Sequence, residues 1–149
     1  MRIPLASVGL LLLPVTALSA QGALKWGPGP DAFPKGAKMA VVSGDPAKAG
    51  PLVVQFSMPS GYKILPHFHP ADESVTVKKG TLMVGMGDKF DATKAKQMKV
   101  GEKETIAAAM HHYASTKGKT LIEVTTTGPF AMTYVNPKDD PRSHAAKKP

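Results

Sequence analysis

Gly61-Tyr62-Lys63-Ile64-Leu65-Pro66-His67-Phe68-His69-Pro70-Ala71-Asp72-Glu73-Ser74-Val75-Thr76-Val77-Lys78-Lys79-Gly80 carries the sharpest signal in this 149-residue chain. Side chains two apart on a β-strand share a face, so His67 and His69 aim two imidazoles at one point. A turn through Pro70, Ala71 and Asp72 then lets the next strand present Glu73 beside them. Two neutral nitrogens and one carboxylate converging in this way suit a divalent transition metal. A His-x-His pair alone is a weak signal. The same pair with Gly61, Glu73 and Gly80 at fixed spacing is a strong one. Asp72 faces the opposite way on a regular strand and reads as a solvated carboxylate.

The pattern resembles the first motif of the cupin superfamily. That resemblance implies a second motif further along, Gly-x5-Pro-x-Gly-x2-His-x3-Asn. Here Gly101 is followed by Glu102 to Ile106, then Ala107, Ala108, Ala109, Met110, His111, His112 and, further on, Thr116. The alignment puts His112 at the ligand position, completing a metal set of His67, His69, Glu73 and His112. Ala107, Ala109 and Thr116 stand where the family has Pro, Gly and Asn. Pro fixes φ and Gly permits φ > 0, so the turn before His112 is where a difference is expected. His111 faces away from His112, outwards or at the barrel mouth. His144, in a polar tail, reads as an ordinary surface residue.

Turn signals and short strands agree with that resemblance. Fourteen Gly and fourteen Pro punctuate the chain and indicate one turn-rich domain. The pattern predicts strands over 39–43, 52–58, 62–69, 73–78, 81–86, 103–108, 112–115, 120–127 and 130–135, with turns at Gly80 and Gly118. One short helix is expected over 91–96 with Asp91 as its N-cap. The expected fold is all-β, and the resemblance makes it a double-stranded β-helix, the cupin jelly-roll barrel. The division is a signal peptide over 1–20, an irregular arm over 21–36, the cupin domain over 37–136 and a polar, disordered tail over 137–149. Trp26 and Phe33 are expected to anchor the arm. Gly85 to Phe90 and Gly128 to Pro137 also resemble a subgroup of small, exported, single-domain cupins.

Met1-Arg2 followed by the apolar run Ile3 to Leu18 and by Ser19, Ala20 and Gly22 looks like a secretory signal, cleaved around 19–22. Periplasmic or secreted localisation follows, with no membrane association after cleavage. The chain has no cysteine, which removes disulfides, thiolate metal sites and thiol nucleophiles together. The net charge of +8 comes from scattered lysines without interleaved aromatics or a nucleic-acid motif, so nucleic acid is not an expected partner. Attraction to anionic envelope components or substrates fits such a surface better.

Three His and one Glu leave one or two positions open on an octahedral ion, the mark of a catalytic rather than a structural site. The expected cofactor is one divalent transition metal (Fe, Mn, Ni, Cu, Co or Zn). The expected function is a metal-dependent oxidoreductase of the dioxygenase type acting on a small oxygen-chelating molecule. The alternatives are a non-catalytic binding module for metal or a small ligand, and a zinc hydrolase or lyase. A homodimer is expected, with Trp26 and Phe33 of the arm buried on the neighbour.

Overall fold

The computed structural model describes residues 23–145. The expected signal peptide over 1–20, its expected cleavage region over 19–22 and residues 146–149 lie outside the described residues.

Among the described residues, nine strands form one curled antiparallel sheet: β1 Gly27–Pro28, β2 Lys38–Ser43, β3 Gly50–Met58, β4 Lys63–Phe68, β5 Glu73–Met86, β6 Lys96–Met98, β7 Lys103–Ile106, β8 His112–Gly128 and β9 Thr133–Tyr134. β8 is the hub, pairing with β3, β4 and β5. This is the all-β barrel that the sequence predicts. Strict alternation produces it: on β3, Leu52, Val54, Phe56 and Met58 are buried and the residues between them are not. Each such side chain contributes about 1.5–3 kcal/mol on full burial, which makes this face the main stabilising surface.

Gly80 and Gly118 do not end strands as predicted. β5 and β8 run straight through them as long bent strands, with register shifts at Val77/Lys79 and Lys79/Thr81. The bend has a consequence for side-chain direction. Before it, Glu73, Val75 and Val77 are buried; after it, Leu82 and Val84 are, so the inward phase moves from odd to even numbers. A bulge keeps both halves of β5 facing the core. It also folds β5 back, so that Glu73 and Met86 lie at one end of the barrel and the Lys79–Gly80 corner at the other.

The helix expected over 91–96 is absent. Asp91 does cap, accepting from Thr93 N at 2.9 Å, but only one turn forms before Lys96–Met98 joins β5 as β6. Lys96 and Gln97 gain more from ladder bonds than from extending a helix of this length, which is marginal by itself. Within the segment expected as a polar, disordered tail, Pro137–Asp139 forms a 3-10 turn and Pro141–Ala145 a short helix, α1. Arg142 secures it by reaching Asp140 and the Met132 carbonyl. Among the described residues no helix is long and apolar enough to cross a membrane.

The arm behaves as predicted at Phe33 but not at Trp26. Phe33 is buried in the core and stacks on Phe56, ring centroids 4.7 Å apart. Tyr62 and Tyr134 pin the arm by donating their hydroxyls to the Pro34 and Ala32 carbonyls. Burial raises both phenols well above the ordinary tyrosine range. Trp26 stays 41% exposed. Phe33 is therefore committed to its own chain and is not free to pack on a neighbour.

Candidate metal centre

Three strands meet at one end of the barrel. His67 lies on β4, His69 just past its end, Glu73 opens β5 and His112 opens β8. The β4–β8 ladder sets His67 opposite His112, and the β5–β8 ladder sets Glu73 opposite Thr126. Ring centroids are 4.2 Å apart for His67 and His112, 5.1 Å for His67 and His69, and 5.4 Å for His69 and His112. One ring nitrogen from each lies within 4.8 Å of the others. All four side chains are buried, at 3–7% relative exposure. The structure thus brings together the four residues that the sequence predicts.

The backbone fixes which nitrogen faces inward. His67 Nδ1 contacts the Leu65 carbonyl at 2.7 Å, His69 Nδ1 the Ala131 carbonyl at 2.7 Å, and His112 Nδ1 the Met110 carbonyl at 2.9 Å. A carbonyl oxygen can only accept, so each Nδ1 carries a proton and each neutral ring turns the Nε2 lone pair inward. Glu73 places Oε1 3.0 Å from His112 Nε2 and Oε2 3.5 Å from His69 Nε2. With neutral rings, the inward-facing atoms are therefore all acceptors. Lone pairs crowded in this way repel one another, and a cation among them reverses the sign. Imidazole and carboxylate together fit a divalent transition ion, and hydrogen-bonded outer nitrogens are what metal-binding histidines need.

The electrostatics agree. Burial, with His112 and His69 nearby, pulls the His67 imidazole down to about 3, so it is a neutral ligand at physiological pH. Burial opposes ionisation of Glu73, yet the surrounding imidazoles and a hydrogen bond to His112, which the metal-free site makes only with a proton between the two and which a bound cation would displace, hold it below the ordinary carboxylate range. Both shifts carry the same sign in folding. Folded His67 resists a proton that the unfolded chain takes near pH 6.5, so its contribution is complete above 6.5 and falls away towards 3. Metal-free protein is expected to lose stability over that window at up to about 1.4 kcal/mol per pH unit for this one group. Urea denaturation at successive pH values measures it, and a flat profile from pH 7 to 4 would contradict it.

The loop before His112 is where the departures from the family pattern predict a difference, yet its backbone still turns left-handed at Ala109. Ala109, at the family's glycine position, has φ 61, the one left-handed non-glycine among the described residues. That conformation costs an L-residue about 1–2 kcal/mol. It is held by Ala109 N donating to the His69 carbonyl at 2.9 Å and Ala108 N donating to Asp72 Oδ1 at 2.7 Å. Asp72 is therefore not merely solvated; it fastens one half of the site to the other. Ala109→Gly should raise stability by about 1 kcal/mol, read as a higher urea midpoint. No gain would place the strain elsewhere.

Thr116, at the family's Asn position, is buried; its hydroxyl accepts from Tyr62 N at 2.9 Å and donates to the Pro59 carbonyl at 2.7 Å. His111 points away, pairing with Asp88 at 2.6 Å and stacking on Phe68. Glu123, whose direction the sequence leaves open, faces outwards against Gln55 and Lys78. The Ala131 carbonyl and the Phe130 ring, 5.6 Å from His69, also shape the site. Neither carries a pattern by which a sequence alone marks it.

Behind the imidazoles is a cavity of about 40 Å³ walled by Phe33, Phe56, Ile64, Leu82, Val84, Ile106 and Phe130. Its polar lining is His67, His69, Glu73 and His112. That is room for a few atoms only.

No family model and no curated protein matches the sequence. Solved structures do match its shape. An RmlC-like cupin from Shewanella frigidimarina NCIMB 400 is 16% identical, covering 62% of this chain and 76% of its own with a TM-score of 0.52. The DMSP lyase DddQ from Ruegeria pomeroyi DSS-3 is 16% identical over 77% of this chain and 62% of its own, TM-score 0.62. An oxalate oxidase is 20% identical over 73% and 60%, TM-score 0.53. A nine-stranded curled sheet with this likeness, and two histidine-bearing motifs meeting at one end of it, give the chain the double-stranded β-helix fold of the cupin superfamily.

Proposed function

We propose that this protein is an exported cupin in which His67, His69, Glu73 and His112 hold one divalent transition ion, and that the loaded site oxidises a small oxygen-chelating substrate. The inward-facing set of acceptors carries this reading: each Nδ1 is occupied by a backbone carbonyl, leaving three Nε2 atoms and one carboxylate for a cation. Bound there, the ion supplies a Lewis-acidic position and a redox path between an enediol- or catechol-type substrate and dioxygen.

The chain's residues do the rest. A single carboxylate against a divalent ion leaves the centre positive, which favours an anionic or enolate-like ligand. The aromatic and aliphatic walls exclude water and so strengthen that attraction. The cavity's size admits a molecule of a few atoms, or the chelating end of a larger one. Apart from Glu73 and the three imidazoles, no acid or base lines the cavity among the described residues. Proton transfer in any reaction here therefore falls to these groups or to water at the ion. That oxidases occur on this fold supports the reading, as with the oxalate oxidase.

The test is oxygen uptake by metal-loaded protein across catechols, oxalate and enediols. Turnover that requires metal and disappears in Glu73→Gln with the fold retained is the expected result. Tight binding of chelators without turnover of any of them would replace the enzyme with a binding module. Export is tested separately by mass spectrometry from the native host. A mature start within residues 20–23 is expected, and an intact Met1-to-Leu18 segment on a membrane-bound species would contradict it.

A further inference from the structure

We infer a second binding site, for an anionic saccharide, at the opposite end of the barrel from the metal centre. It is a cleft of about 380 Å³ lined by Trp26, Lys38, Ser57, Lys79 and Lys119, with Thr120 and Leu121 at its floor. Its position follows from the bent strands. The metal centre lies where Glu73 and His112 begin β5 and β8; the cleft lies at the far corner, where Lys79 pairs with Leu121. Six residues of strand separate Glu73 from Lys79, about 20 Å.

Three observations point to the ligand. First, among the described residues no carboxylate lines the cleft, and Lys38, Lys79 and Lys119 make no ion pair there, unlike Lys48, Lys78, Lys94, Lys96 and Arg142. Three ammonium groups around one concavity focus a positive potential that a polyanion relieves. Second, Trp26 is 41% exposed beside them, although a core was available to its arm neighbour Phe33. A flat indole face takes the C–H face of a sugar ring while the lysines take its acidic groups, and Ser57 offers a hydroxyl. Third, the surface is concave and has a ligand-sized volume. A membrane needs protruding anchors, and reading of nucleic-acid bases relies on several aromatics. Several separated positive charges suit repeated acidic groups along a chain better than one small acid.

Trp26 is the chain's only tryptophan, so indole emission reports this cleft alone. Oligogalacturonate should give a saturable emission change, at least about tenfold tighter than a neutral malto-oligosaccharide of equal length and weakening with added salt. Lys38→Glu and Lys119→Glu should each weaken it about tenfold with circular dichroism unchanged. The response should survive EDTA and persist in His67→Ala protein, so that its fate is independent of the metal reading. Equal binding of the neutral sugar, tighter binding of oligothymidylate or of phosphatidylglycerol vesicles, or no response at millimolar oligogalacturonate would each overturn the assignment. An emission change that follows protein concentration instead of ligand would do so as well, by placing Trp26 in a dimer contact.

Discussion

His112→Ala is expected to reduce bound divalent metal from about one ion per chain to near nothing. His112 stands at the centre of the site: its ring is 4.2 Å from that of His67, and its Nε2 is 3.0 Å from Glu73. Losing it leaves at most three ligands and deprives a buried carboxylate of its nearest partner. In metal-free protein, leaving that carboxylate without its hydrogen-bond partner costs about 1–3 kcal/mol. Part of that cost vanishes if Glu73 takes up a proton, which burial favours once His112 is gone. His112→Gln, which keeps bulk and a polar tip, separates lost ligation from lost stability: metal should still be lost while more of the fold's stability survives. Elemental analysis with urea denaturation of both variants reads the two effects. Full occupancy in His112→Ala would remove this histidine from the site, and loss of metal in His111→Ala instead would transfer the role to its neighbour.

The second large effect lies outside the site. Gly85→Ala is expected to destabilise the barrel by about 2–4 kcal/mol. A β-carbon at Gly85 would stand 2.1 Å from Tyr113 Cζ and 2.2 Å from Cε2. Tyr113 cannot swing clear: it is 1% exposed and its hydroxyl donates to the Asp91 carbonyl at 2.8 Å. Gly85 and Tyr113 face each other across the β5–β8 ladder, next to the Met86–His112 pair. A shift there should also loosen metal binding. A urea midpoint within experimental error of the parent would show that the ring has somewhere else to go.

Sequence spacing made the site legible because strand geometry is periodic. Two residues apart on a strand means one face, so His67 and His69 declared a common direction without any structure. His112 required a family pattern, because nothing local says which distant strand lies beside β4. Alternation on β3 and on the first half of β5 made the core readable for the same reason. The corners were misread: glycines with φ near 80 at Gly80 and 74 at Gly118 look like ends of strands, but ladder bonds on both sides carry the strand through the bend. The short helix failed because Asp91 signals a capped turn equally well whether a helix or a strand follows. Asp72 reads as merely solvated because its partner, the Ala108 backbone amide, leaves no trace in side-chain pattern. Trp26 reads as an anchor in the sequence, while the arm's packing is done by Phe33 and by two tyrosines that reach back to it.

X-ray absorption at the metal edge of protein loaded with one equivalent of zinc or iron tests the shared centre most directly. Three nitrogen scatterers with imidazole signatures and one carboxylate oxygen, all near 2.0–2.2 Å, are the predicted first coordination sphere. Glu73→Gln should change the oxygen contribution and leave the three imidazoles in place. A spectrum with fewer than three imidazoles, or one unaltered by Glu73→Gln, would contradict the account.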